Sequence, residues 1–234
     1  MMSAEKENRR NALVIVKAVK SMADEKLSYL FDGLAANVAD ALFEEMCGMD
    51  KNEVLKLHFN VMCALKVGSR IYRKEFDRLM NEAWRVFLRR HTIPSLEMPT
   101  GVAGEQIALC RDKVESYHKM LIQDIQDRLS HLLNSKLDDC PLRPGILYLC
   151  FWHSIEKLDL NYDERVLLVP LFHRFVMDRF GLVLGVANKT LTEHAIVMGG
   201  KAATPLRQPR LGDRAWAVPP KWPQIGAAQV SADS

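Results

Sequence analysis

The sequence predicts an all-α fold, a single multi-helix bundle of about six helices with a disordered C-terminal tail. Three observations lead there. Apolar residues recur with a 3.6-residue period over long stretches. Leu, Met, Ala, Glu, Lys and Arg dominate the first 198 positions, where Gly and Pro are sparse. Two capping boxes, Asp50 with Glu53 and Asn161 with Glu164, mark helix starts. With 234 residues, 48% of them hydrophobic and 26% charged, the chain has enough apolar surface for a sizeable core.

A first helix is expected over 5–21, carrying Leu13, Val16 and Val19 about one turn apart. Asp24 and Glu25 can open a second, running to about Cys47 with Leu27, Leu30, Phe31, Leu34, Val38, Leu42 and Met46 on one stripe. Gly48 stops it, and the box at Asp50 starts a long third helix over 51–91. Its expected inner stripe includes Phe59, Met62, Leu65, Leu79 and Phe87. Pro94, Pro99, Gly101 and Gly104 mark an internal loop. A fourth helix follows over about 105–137, with Leu109, Val114, Met120, Ile125 and Leu129 inward.

After a loop at 138–144, Pro144 suits the first turn of a fifth helix, where its missing N–H costs nothing. That helix, over 145–158, is apolar on every face from Ile146 to Trp152, as a helix surrounded by others must be. Helix six starts at the Asn161 box and runs to Phe180, with a kink at Pro170. Gly181 and Gly185 have the small-xxx-small spacing of close helix packing, and a last segment ends at Met198. The helical domain is therefore 1–198, and 199–234 is a flexible Pro/Gly/Ala-rich basic tail without apolar period.

The composition excludes several function classes. No window offers about 18 uninterrupted apolar residues, so no membrane span is expected. The charged segment Met1 to Arg10 lacks the apolar core of a signal peptide. Five scattered cysteines suggest free thiols in a reducing cytoplasm. Residues 1–198 hold 27 basic and 27 acidic side chains, so the net charge of +3 belongs to the tail.

Lys66, Arg70, Lys74 and Arg78 recur every four residues and share one helix face, with Arg73 beside them. A nucleic acid or another anionic ligand would use such a stripe. Residues 21–50, however, carry seven acidic side chains and one Lys on the preceding helix. Mutual neutralisation of the two helices plus a solvated face is the reading the sequence favours. Cys150 and His153 have a Cys-x-x-His spacing, with Cys140 and His173 further off, but Cys150 sits in an apolar run and reads as core. No metal and no cofactor is expected. No Gly-x-Ser-x-Gly elbow, phosphate-binding glycine loop or His-Glu-x-x-His occurs, and the adjacent Asp138 and Asp139 read as turn formers. A ligand held by Asp139, His153 or His173 would reopen the question of an enzyme. In the tail, Trp216 and Trp222 stand among Arg207, Arg210, Arg214, Lys221 and prolines, which suits a docking peptide.

Three blocks occur in order across about 40–190: Asp40-Ala-Leu-Phe-Glu-Glu-Met46, Leu57-His-Phe-Asn through Arg70-Ile-Tyr-Arg-Lys-Glu-Phe76, and Cys140-Pro-Leu-Arg-Pro144. The last is followed by Leu158-Asp-Leu160, Arg165-Val-Leu-Leu168 and Leu171-Phe-His-Arg-Phe-Val176. Together they resemble a proteobacterial family catalogued as domain of unknown function 1631, of which this would be a short, divergent member. Val169-Pro170 and His173 stand where that family usually has Tyr-Lys and Asp. The resemblance implies a bacterial cytoplasmic helical protein and transfers no catalytic residue. The expected function is a non-catalytic regulatory or adaptor protein whose partner is another protein or a second copy of itself. The alternative is a nucleic-acid or anionic-ligand binder.

Overall fold

No proline interrupts residues 2–46. A computed structural model of the chain, which describes residues 2–46 and 52–197, makes them one helix, α1 (Met2–Met46). The break expected near residues 21–24 is absent, for two physical reasons. The apolar stripe runs straight through it, with Val19, Ala23 and Leu27 all buried. Lys20 also pairs with Asp24 one turn on, so the acidic residue read as a helix start is an i,i+4 partner inside a helix.

The chain continues through α2 (Asn52–Arg90), α3 (Val102–Leu133), α4 (Pro144–Ile155), α5 (Tyr162–Val166), α6 (Leu168–Phe175), a 3-10 turn (Met177–Arg179) and α7 (Gly181–Val197). The described residues contain no strand, so the fold is all-α. Five of its helices have 12 or more residues. The described helices belong to one compact unit within Met1–Lys201. Gly48, Asp50 and the segment from 199 onward lie outside the described residues.

Several local expectations hold. Pro144 occupies the first turn of α4, and nearly every residue of that helix is buried. The Asn161 box is complete: Glu164 N–H donates to Asn161 Oδ1 at 2.9 Å, and Asn161 N–H donates to Glu164 Oε2 at 2.9 Å. Asn60 Nδ2 donates to the other oxygen of the same carboxylate at 2.9 Å, which ties the cap to α2.

Helix six, however, is divided. Leu167 ends α5 and begins α6, and Pro170 falls in the first turn of α6, where no intrahelical N–H is needed. The proline ring conflicts with the carbonyl four residues back, at Val166, so the chain breaks there rather than kinking at Pro170. The glycine pair is also unequal. A Cβ on Gly181 would meet His118 Cε1 at 2.9 Å, whereas one on Gly185 meets nothing. Close packing is confined to Gly181.

The centre of the core is aromatic. Phe31 of α1 lies 4.5 Å from Phe76 of α2, ring centroid to centroid, and 5.8 Å from Phe172 of α6. Phe172 stacks on Phe151 of α4 at 4.1 Å. Phe31 meets Tyr72 and Phe76, and the earlier Lys20, Asp24 and Leu27 of α1 border one cleft with the later Met80 and Asn81 of α2, so the two helices run antiparallel. Away from each other, α1 packs on α6 and α7, and α2 on α4 and α5. Three residues expected in the core are instead exposed: Phe59, Leu109 and Met120.

The α3 start is built from a distance. Gly101, with φ of 68°, offers no side-chain cap, and Tyr162 supplies one. Its hydroxyl accepts from Ala103 N–H at 3.0 Å and donates to the Thr100 carbonyl at 2.7 Å. Gly104 is required by close approach: a Cβ there would lie 2.1 Å from the Pro99 carbonyl oxygen.

Candidate functional site

The α2 helix buries one side through Val61, Leu65, Tyr72, Phe76, Met80 and Ala83 and turns the other to solvent. Two rows of side chains, each with a step of four, run side by side on that outer face. One is basic: Lys66, Arg70, Lys74 and Arg78, all exposed. The other is mostly apolar: Phe59, Cys63, Val67 and Ile71, in which Phe59 is 52% exposed, Val67 84% and Ile71 53%. Residues three apart are neighbours on a helix, so Cys63, Val67 and Ile71 adjoin Lys66, Arg70 and Lys74, and Phe59 extends the apolar row one turn further. Arg70, Lys74, Arg78 and Arg85 border a shallow, open groove of about 690 Å³.

The cations of this face differ in their commitments. Arg78 donates through Nε and Nη2 to both oxygens of Glu75 at 2.8 Å, which holds that carboxyl below its usual range. Arg85 donates to Glu82 at 2.7 Å. Arg73 is half-buried: its Nε lies 3.0 Å from Asp77, its Nη1 donates to the Ser28 carbonyl at 3.4 Å, and its guanidinium sits 4.6 Å from the Phe31 ring centroid. Among the described residues, Lys66, Arg70 and Lys74 engage no ion pair or hydrogen bond.

The expected neutralisation of α2 by α1 is therefore not how the charges are arranged. Among the described residues, the ion pairs of α2 run along α2 itself, and the contacts of Arg73 with α1 are a carbonyl and an aromatic ring. Asp24 borders the α1–α2 cleft and pairs with Lys20, whereas Glu25, Asp32, Asp40 and Glu44 face away and are all exposed. They project from the side opposite Leu27, Leu30, Leu34 and Val38, which are buried.

The remaining sequence candidates separate clearly. Arg207, Arg210, Arg214, Trp216, Lys221 and Trp222 lie outside the described residues. His153 has both ring nitrogens in use, Nδ1 with Glu156 Oε2 at 3.0 Å and Nε2 with the Glu97 carbonyl at 2.9 Å. Cys150 is fully buried, and burial pushes its thiol up to about 12. Asp139 is a turn former: its Oδ1 accepts from Cys140 N–H at 2.8 Å and lies 3.2 Å from Arg143 Nε.

Sequence reasoning missed one polar cluster. The Tyr148 hydroxyl of α4 and His173 Nδ1 of α6 share a hydrogen bond of 2.5 Å. His173 Nε2 lies 3.3 Å from Asp178 Oδ1, without the alignment of a hydrogen bond. Cys110 of α3 meets the same hydroxyl. An activated Cys–His pair needs a depressed thiol and a raised imidazole. Here burial raises the Cys110 thiol and lowers the His173 imidazole, with Asp178 only partly opposing the latter. Burial also raises Tyr148, whose hydroxyl stays neutral. The electrostatics point to a core polar network that fixes α3, α4 and α6 against one another. No local spacing announces it, because its members come from four elements.

No helix among the described residues is long and apolar enough to cross a membrane. A helical bundle with a basic and apolar outer face defines the class. Residues 11–195 match the family described as "Protein of unknown function (DUF1631) N-terminal domain", and the chain belongs to it. No curated protein and no solved structure matches.

Proposed function

We propose that this chain is a non-catalytic regulatory or adaptor protein of the bacterial cytoplasm. It acts by protein–protein contact, with the outer face of α2 as its contact surface. One observation carries the reading: Phe59, Val67 and Ile71 stand exposed in a row beside the uncommitted Lys66, Arg70 and Lys74. Single exposed apolar side chains need no explanation, but a continuous row rimmed by charge is the composition of an interface. Cys63, Cys110, Cys140 and Cys150 are unpaired, which supports a reducing compartment. Trp216 and Trp222 in the tail would provide a second contact.

The same three free cations favour a second reading, an anionic ligand or nucleic acid. Against it, Glu75, Asp77 and Glu82 alternate with the basic residues, and the apolar row would lie against phosphates. Capture of the tagged protein from its own cells tests the two readings, with and without 199–234 and with nuclease treatment. The adaptor reading expects a discrete protein that survives nuclease and is lost with Arg70→Glu and Lys74→Glu. Recovery of nucleic acid that is released steeply with salt would replace it by the second reading.

A further inference from the structure

The outer face of α1 mirrors that of α2 with opposite charge. Glu25, Asp32 and Asp40 alternate with Tyr29, Ala36 and Phe43 along one exposed side, Tyr29 at 65% and Phe43 at 59% exposure. Among the described residues, Asp32, Asp40 and Glu44 have no ion-pair partner. The segments 25–44 and 59–78 each advance 19 residues, about 28 Å of helix. They also sit level with each other in the antiparallel hairpin, since Phe31 lies beside Tyr72 and Phe76.

We infer that a second copy of this chain covers both faces. The inference rests on the outer face of α2 being a protein-contact surface. A twofold axis parallel to the hairpin, in front of it, lays α1 of each copy antiparallel on α2 of the other while keeping residue levels unchanged. Positions across the hairpin add up to 103–107, from Phe31 with Tyr72 and Phe76. At that register Asp40 comes level with Lys66, Ala36 with Val67 and Asp32 with Lys74, and Arg70 stands one residue, about 1.5 Å, beyond the level of Asp32. Glu25 meets the level of Arg78, and Phe43 falls between Phe59 and Cys63. Lys66 and Lys74 thus meet uncommitted carboxylates of α1, Arg70 lies one residue from the level of Asp32, and Ala36 and Phe43 meet the apolar row of α2. The interface is isologous, each copy offering both faces. The chain's own tail is a poor occupant of the α2 face, because Arg207, Arg210, Arg214 and Lys221 share its sign.

Sedimentation equilibrium of the full chain tests this. The wild type should be a dimer that weakens as salt is raised. The variants Arg70→Glu/Lys74→Glu and Asp32→Arg/Asp40→Arg should each dimerise roughly tenfold or more weakly, because like charges then face each other. Mixed in equal amounts, the two variants should pair again, since one contact keeps the native charges and the other is swapped. Helical circular dichroism checks that each variant folds, and the salt dependence of the wild type needs no variant. A wild type that stays monomeric at high micromolar concentration overturns the dimer, as does a mixture that fails to pair. If the monomer still captures another protein through Arg70 and Lys74, the adaptor reading survives that failure.

Discussion

The α1–α2 hairpin has an inner and an outer face, and both carry aromatic and aliphatic residues at a step of three or four. On the inner face Phe31, Tyr72 and Phe76 are sealed by Phe151 and Phe172, and the charged Arg73 that reaches them is paired with Asp77 and held over the Phe31 ring. On the outer face Phe59, Val67 and Ile71 stand among cations, and Tyr29 and Phe43 among carboxylates. The difference teaches that apolar content alone does not assign a helix face to the core. What distinguishes the faces is charge: the inner one excludes it unless paired, whereas the outer one alternates with it.

If the inner face is the structural one, damage there should be largest. Phe151→Ala removes a ring that stacks on Phe172 and also approaches Phe31 and Tyr72, and should cost about 3–5 kcal/mol in denaturant unfolding. Gly104→Ala presses a methyl on the Pro99 carbonyl, so backbone must move, and about 1–3 kcal/mol is expected from the same measurement. Asn161→Ala removes the cap that orders Glu164, at about 1 kcal/mol. Val67→Ser on the outer face should change stability by no more than about 0.5 kcal/mol. A large loss there would erase the distinction between the faces.

Acid sharpens it differently. Burial holds His173 and His118 below the ordinary 6.5, Asp178 partly opposing at His173. The unfolded chain therefore takes up protons that the folded chain refuses. Their contribution is fully present above 6.5 and is lost as pH falls below it, through the folded values. Thermal unfolding followed from neutral to mildly acidic pH should show Tm falling, and His173→Gln should flatten that fall.

How far the fold was legible depended on the range of the interaction behind each feature. The Asn161 box and Pro144 were readable because their partners lie within three residues. The break at Leu167 was misplaced by three residues, since the clash of Pro170 acts four residues upstream. Phe59 and Leu109 share the helical period with their buried neighbours, so period alone left their angular position open. The Tyr162 cap on α3 acts across 59 residues to Ala103, and the link from Tyr148 to His173 spans 25, so neither leaves a local signature. Of the candidate site, the basic row was legible and the apolar row beside it was not. The helical period places Phe59 inward, and its neighbours Val67 and Ile71 acquire meaning only once the helix is oriented.

The aromatic centre also sets a timetable for synthesis. Phe172 follows Phe76 by 96 residues, a delay of about 5–20 s at ordinary rates of chain growth. Throughout that interval the α1–α2 hairpin can form, but the surface of Phe31 and Phe76 that Phe172 later covers is bare. A nascent chain in this state is a ready client for a holdase, which would occupy the inner face of the hairpin before any partner reaches the outer one.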